Sequence, residues 1–308
     1  MVISAPEAPS SELLELLRDL NRCAPVPWEK RRGRELIPEA ERWGLPVSLD
    51  PDQGHWHLHH PEQTWNSERL AAAWGILPCE TQVWPFCDSS NLQLLANPQW
   101  HLGIAEAQWA GRGRRGRTWH SPYGRHVYLS VSVTPPASTP GTLPLVAALG
   151  VFQVLMTEIP DLWVKWPNDL WAGRKKLGGV LMEGRRQGDQ QRWVLGLGIN
   201  VLEDGTLPDN AACLAGLGMI WTRQELAESV LRQWRADFTL LEGSGFGQFA
   251  DLWNAADGLS GKPATICQEG EERQILALGV ASDGRLLIQE GHHTRLVSAG
   301  DIHIRPIP

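Results

Sequence analysis

Paired cysteines, tyrosine and long apolar runs are scarce in this chain. Its five cysteines, Cys23, Cys79, Cys87, Cys213 and Cys267, are scattered and odd in number, with no CxxC pair. That argues against a disulfide framework or a zinc ribbon and for a reducing, cytoplasmic setting. No apolar run approaches the roughly 20 residues that a bilayer span requires. The first twelve residues hold two acids and no base, so the basic start of a secretion signal is missing. Only two tyrosines stand against sixteen tryptophans. Tryptophan therefore takes over as core filler and amphipathic anchor, and no function follows from the count. The net charge of −7 gives no global bias toward nucleic acid, so any anion site must come from local clustering of bases.

What is present fits a folded protein of about two domains: 308 residues, 42% apolar and 20% charged. Residues 11–20 predict an amphipathic helix capped by Ser10 or Ser11. Prolines 25 and 27 break the next stretch, the basic run Lys30–Arg34 reads as a solvated turn, and a further helix is expected over 35–43 with Pro38 near its start. Residues 45–60 predict two short strands around a turn at Asp52–Gly54. From residue 75 the expected strands are 81–86, 102–107, 127–133, 162–166, 178–183 and 193–199, and the expected helices are 89–96, 143–158 and 222–241. This mixed order has no strict βαβ repetition. Beyond residue 258 the alternating runs PATICQ, QILALGVA, RLLIQ, TRLVSA and DIHIRP predict a small all-β barrel.

Four segments carry chemistry. Residues 111–117, Gly-Arg-Gly-Arg-Arg-Gly-Arg, make an anion-binding loop: glycine lets backbone N–H groups approach a phosphate, and arginine supplies forked, permanent donors. A solvated basic loop fits the composition alone, but strand-like flanks place this one inside a folded domain. It is not a Walker A sequence. Residues 165–169, Lys-Trp-Pro-Asn-Asp, end a strand and bring a cation, an amide and a carboxylate to one rim. A plain turn is the competing reading. Lys176 precedes a glycine-containing buried strand and either points into a pocket or lies on a surface turn. Gly196 and Gly198 alternate on one strand, permitting close approach or simply tight packing.

Together these segments resemble the biotin protein ligase family. The resemblance rests on DSSN (88–91), AEAQWA (105–110) running into GRGRRGRTWHSPYG (111–124), KWPNDL (165–170), KLGGVLMEG (176–184), GLGINV (196–201) and SAGDIHIR (298–305), and covers roughly residues 75–308. It implies an α+β fold: a class II synthetase-like catalytic domain over 75–258, a mixed β-sheet with flanking helices. A C-terminal SH3-like β-barrel over 259–308 and a short, degenerate winged-helix-like module over 1–62 complete it. It implies ATP-dependent attachment of biotin to a lysine of the biotin carboxyl carrier protein of acetyl-CoA carboxylase, through biotinyl-5′-AMP. Ser89, Ser90, Asn91, Gln108, Arg112, Arg114 and Lys176 are implied to bind biotin, and Arg114, Arg117, Trp119, Asn168 and Asn200 the adenylate. Arg114, Lys176, Asp169 and Lys165 are implied to act in catalysis, with Asp169 toward Mg²⁺. The 111–124 loop is expected to order over the ligand. A monomer or a ligand-driven homodimer is implied.

Some members of that family repress transcription through the N-terminal module. Residues 1–74 hold 8 Lys/Arg against 12 Asp/Glu, a net of −4, opposite in sign to a DNA-binding surface. Prolines 25, 27 and 38 interrupt the region where two helices would be needed, so DNA is not an expected partner. His55, His57 and His59 alternate along a strand and fit an exposed hairpin face better than a metal site. The readings left open are a lipoate or octanoyl transferase of the same fold, a ligase that is also a biotin-responsive repressor, and a nucleic-acid-binding module.

Overall fold

Strict alternation along the central strands decides the architecture. Leu129 and Val131, Leu195 and Leu197, Val164, Leu170 and Val180 are buried in one apolar cluster. The residues alternating with them include Ser130, Gly196, Gly179, Lys165 and Asp169, with Leu181, Trp163 and Trp171 as apolar members. A sheet with period-2 side chains therefore has one oily face and one functional face.

The computed structural model describes residues 8–21, 26–27, 30–43, 45, 47–50, 55–58, 65–137, 139–188, 190–268, 271–299 and 302–306. At the N-terminus, α1 (Ser11–Asn21), β1 (Val26–Pro27), α2 (Lys30–Arg42), β2 (Val47–Asp50) and β3 (His55–Leu58) form a module with strand order β1-β3-β2. Ser10 caps α1 through its hydroxyl, which accepts from Leu13 N at 3.1 Å, and both Ser10 donors reach Glu39 of α2. The helix expected at 35–43 begins at Lys30 and runs through Pro38. Pro38 removes one helical hydrogen bond but does not end the helix, and the Lys30–Arg34 run lies in that helix rather than in a turn. Helix α1 forms where residues 11–20 predict it, and the expected interruption at Pro38 is corrected. Strand β1 lies between the two helices and pairs with β3. The Asp52–Gly54 turn and His59 lie outside the described residues.

This module does not close a core by itself. Leu13, Leu16, Leu36, Ala40, Leu45 and Trp56 share one cluster with Ala107 and Tyr123 of the central unit. Trp43 meets Phe86 edge-on at 5.8 Å, and Phe86 meets Trp109 at 4.9 Å.

The central unit comprises α3 (Ser67–Trp74), β4 (Thr81–Trp84), α4 (Ser90–Ala96), β5 (Leu102–Ala105), β6 (Val127–Val133), α5 (Leu143–Leu155), β7 (Leu162–Lys165), β8 (Asp169–Ala172), β9 (Lys175–Gln187), β10 (Gln190–Ile199), α6 (Arg223–Ser244) and α7 (Gly247–Ala256). Its seven strands run in the order β4-β5-β6-β10-β9-β8-β7. Only β4 and β5 pair in parallel; the other neighbours are antiparallel. Helix α5, LPLVAALGVFQVL, is buried nearly all round, as a helix sandwiched between a sheet and another helix must be. Helix α6 starts at a capping box, Thr222 and Glu225. Helix α3, ahead of the expected boundary at residue 75, is held to α6 by an Arg69–Glu228 ion pair of 2.8 Å and ends at Gly75, φ 85°. Three elements of this unit, α3, α7 and β8, were not expected.

The C-terminal runs form β11 (Lys262–Gln268), β12 (Glu271–Val280), β13 (Leu286–Glu290), β14 (His293–Val297) and β15 (Ile302–Pro306), an antiparallel sheet of order β14-β13-β12-β11-β15. It touches the central unit where Trp166 Nε1 donates to Gly284 O at 3.2 Å. Among the described residues no helix is long and apolar enough to cross a membrane.

Candidate functional site

Strand register builds the floor of the site. Ser130 of β6, Gly196 of β10 and Leu181 of β9 form one row across the sheet. Two residues further along, Gly198, Gly179, Asp169 and Lys165 form a second row through β10, β9, β8 and β7. Both rows lie on the non-core face. The glycines keep this floor low enough for side chains to lie across it. A methyl on Gly196 would overlap the Asn91 amide, and one on Gly198 would sit 2.5 Å from the Trp119 indole. The two glycines are therefore tightly packed under Asn91 and Trp119.

Over this floor opens a cavity of about 350 Å³. It brings together every sequence-predicted site residue: Ser89, Ser90, Asn91, Gln108, Arg112, Arg114, Arg117, Trp119, Lys165, Asn168, Asp169, Lys176 and Asn200. Six lysine or arginine residues line it against one carboxylate, Asp169. In a chain of net charge −7, that local excess selects an anionic ligand.

One end is neutral, polar and buried. Helix α4 begins there, and Ser90 N donates to Gln108 Oε1 at 2.8 Å while Gln108 Nε2 donates to Ser121 Oγ at 3.0 Å. The Asn91 amide donates to Leu181 O at 3.2 Å and to Glu183 Oε2 at 3.0 Å. Ser130 Oγ lies 2.7 Å from both Ser90 Oγ and Asn91 Oδ1. Arg112 closes this end on Glu183 at 3.0 Å. Such a web orients amide and hydroxyl groups toward a neutral, hydrogen-bonding ligand group.

The middle is charged. Lys176 Nζ donates to Asp169 Oδ1 at 2.7 Å and lies 5.3 Å over the Trp119 ring. Lys165 is buried, 5.1 Å over Trp171. The arginine loop folds back on itself: Trp119 N donates to Gly111 O at 2.8 Å and Gly113 N to Arg117 O at 2.7 Å. Its tip is a left-handed pair, Arg115 at φ 60° and Gly116 at φ 70°. Arg114 donates to Asn168 Oδ1 at 3.4 Å and to the Ala299 carbonyl of the C-terminal sheet. Burial and the neighbouring Arg115 and Arg117 lower the Arg114 pKa, with Asp169 opposing them. Asn168 donates to Val180 O, and Asn200 Nδ2 to Ala212 O at 2.9 Å. The far end is walled by Trp119, His120, Leu207, Pro208, Asn210 and Ala211.

The competing reading of Pro167-Asn168-Asp169 as a plain turn does not extend to Asp169, which opens β8 and is fixed by its pairing with Gly179. Sequence reasoning missed Ser130, His120 and the 204–206 segment. Ser130 carried a usable signal: in VYLSVSV it shares the non-core face with Tyr128 and Ser132. Among the described residues no cluster of three or more His, Cys, Asp or Glu is placed to hold a metal.

Comparison with known proteins gives this arrangement a family. The family described as the biotin/lipoate A/B protein ligase family matches residues 84–200. The bifunctional ligase/repressor BirA of Escherichia coli is 31% identical over 276 residues, 85% of each chain. The biotin–[acetyl-CoA-carboxylase] ligase of Mycobacterium tuberculosis is 32% identical over 212 residues, covering 66% of this chain and 78% of that one. Among solved structures, the biotin protein ligase of Aquifex aeolicus in complex with biotin and ATP superposes with a TM-score of 0.65 at 25% identity, over 74% of this chain and 99% of that chain. With a 31% identical relative aligned over most of its length, and with the family's motifs converging on one cavity, the chain belongs to the biotin protein ligase family.

Proposed function

We propose that this chain uses ATP to activate biotin as biotinyl-5′-AMP and transfers the biotinyl group to a lysine of a carrier protein, the biotin carboxyl carrier protein of acetyl-CoA carboxylase. The observation that carries the proposal is the meeting of three things in one cavity: a neutral polar end, a Lys176–Asp169 pair and an arginine loop. Those are the needs of an acyl-adenylate, with a neutral ring system at one end, a mixed anhydride in the middle and a purine beyond.

In the first step the biotin carboxylate attacks the α-phosphorus of ATP and the bond to pyrophosphate breaks. In the second, the neutral carrier lysine amine attacks the acyl carbon, gives up a proton to solvent, and AMP leaves with the bonding electrons. Ser89, Ser90, Asn91 and Gln108 hold the biotin ring. Lys176, now on Asp169, shifts to the carboxylate and then to the acyl phosphate, where its charge stabilises the growing negative charge. Arg112 and Arg114 cover the ligand, and Arg117 with Asn168 and Lys165 meets phosphate oxygens. Trp119 and Asn200 flank the nucleotide. No enzyme nucleophile is needed. A single lining carboxylate suits Mg²⁺ brought in on the triphosphate, with Asp169 as its protein contact and neutralisation of the leaving pyrophosphate as its contribution.

The test is to incubate the protein with ATP, Mg²⁺, biotin and a carrier domain, with lipoate in a parallel arm. AMP formation with one biotinylated lysine supports the proposal; transfer of lipoate instead of biotin overturns it.

A further inference from the structure

His120, at the trailing end of the arginine loop, reaches out of the cavity to a segment 84 positions away. Its Nε2 lies 2.8 Å from Thr206 Oγ1 and 3.6 Å from Asp204 Oδ1. Asp204 also meets the fully buried His126, Oδ2 to Nε2 at 2.9 Å.

The protons of this network follow from its donors. Val201 N–H donates to His126 Nδ1 at 3.2 Å, so Nδ1 carries no proton and Nε2–H donates to Asp204. Burial, against the pull of Asp204, lowers the His126 pKa to about 4, so this imidazole is neutral at neutral pH. Asp204 Oδ1 accepts from Thr206 N at 2.7 Å and from Thr206 Oγ1 at 2.5 Å. The threonine hydroxyl has one proton and gives it to Asp204, so it accepts from His120 Nε2–H. Both Thr206 donors and His126 Nε2–H point to the Asp204 carboxylate, and His120 is the link at the cavity.

The segment between these contacts and Lys176 is a wall of the cavity. Leu207, Pro208, Asn210 and Ala211 line it. Its far end is tied to the backbone of Lys176, which donates to Asn210 O at 2.9 Å and accepts from Ala212 N at 2.9 Å. Its near end is tied by the His120, Thr206 and Asp204 side chains. The residue before His120 is Trp119, which lies over Gly198 and under Lys176.

We propose that His120 is a positioning residue for the nucleotide half of the site: through Thr206 and Asp204 it clasps the arginine loop to the 204–211 segment and fixes the wall against which the purine lies. This rests on the ligase reading above. No side chain of the clasp touches the biotin end, so its loss falls chiefly on ATP.

The test compares the wild type with Thr206→Val, which keeps the shape and removes the hydroxyl, with Thr206→Ser, which restores it, and with His120→Ala. Two readouts are taken. In biotin-dependent ATP–pyrophosphate exchange, Thr206→Val and His120→Ala raise the KM for ATP about three- to tenfold, with kcat and the KM for biotin within twofold, and Thr206→Ser returns it. In hydrogen–deuterium exchange on the ligand-free protein, amides 201–211 exchange faster in Thr206→Val and His120→Ala only. Equal changes in both KM values, or unchanged ATP KM and unchanged amide exchange, overturn the proposal. Faster amide exchange in variants of a wild type that turns over no ATP overturns the ligase reading and the nucleotide role with it, while showing that the clasp itself exists.

Discussion

Replacing Gly196 by alanine should damage biotin binding while sparing ATP binding. An added Cβ would overlap Asn91 Oδ1, with Asn91 Cγ at 2.9 Å and Nδ2 at 3.0 Å, inside the ordinary contact distance. Asn91 cannot yield without loss. Its amide is held by Ser130 Oγ at 2.7 Å, Leu181 O at 3.2 Å and Glu183 Oε2 at 3.0 Å, and the residue is buried. A retreat of about half an ångström or more loosens two of these bonds, at about 1 kcal/mol each, with overpacking strain of similar size. If about 2 kcal/mol falls on the bound state, the KM for biotin rises about 30-fold. The assay is biotin-dependent ATP–pyrophosphate exchange, with thermal unfolding alongside. The same change in an Asn91→Ala background should cost much less, since the clashing amide is gone. A biotin KM within twofold of wild type, or an equal loss in both backgrounds, refutes the reasoning.

Arg114→Gly removes a guanidinium that spans the arginine loop, Asn168 and the C-terminal sheet. It should release biotinyl-adenylate and label neighbouring proteins indiscriminately; mass spectrometry finding label only on the carrier lysine contradicts this. Asp237 is buried, and burial raises its pKa to about 6 against the hydrogen bond from Gln233. The folded state therefore binds the proton more tightly than the unfolded state, and stability falls as pH rises from about 4 to 6. Asp237→Asn should stabilise by about 2 kcal/mol above pH 6 and by little near pH 4, read as a pH-dependent gain in Tm; equal gains at both pH values contradict the assignment. Glu106 pairs with the fully buried Arg223, whose guanidinium stacks 4.9 Å over Trp65. Glu106→Ala breaks this buried ion pair and should cost about 3 kcal/mol in urea unfolding; a cost under about 1 kcal/mol would show that the pair is not integral to the fold.

The site was legible where chemistry is local in sequence. The 111–117 loop, Lys165–Asp169, Lys176 and Gly196/Gly198 each sit within a few residues of one another, and strand register then carries them to one face. Elements were harder where local signals conflict. Asp169 follows Pro-Asn and reads as a turn, yet pairing with Gly179 pulls it into β8. Pro38 reads as a helix start, yet α2 continues through it, its Leu36 and Ala40 packed against α1 and β3. Helices α3 and α7 are short and weakly patterned, and packing on the central unit stabilises them more than propensity does. The His120–Thr206–Asp204–His126 network was illegible because its members lie up to 86 positions apart and nothing in their spacing announces contact.

The most direct measurement is a crystal structure of the protein with biotinyl-5′-AMP. The account predicts the biotin ring on Asn91 and Gln108, the acyl phosphate bridging Lys176 and Arg114, and Lys176 moved off Asp169. A ligand bound elsewhere, or one lying here with the Lys176–Asp169 pair still closed at 2.7 Å, would contradict it.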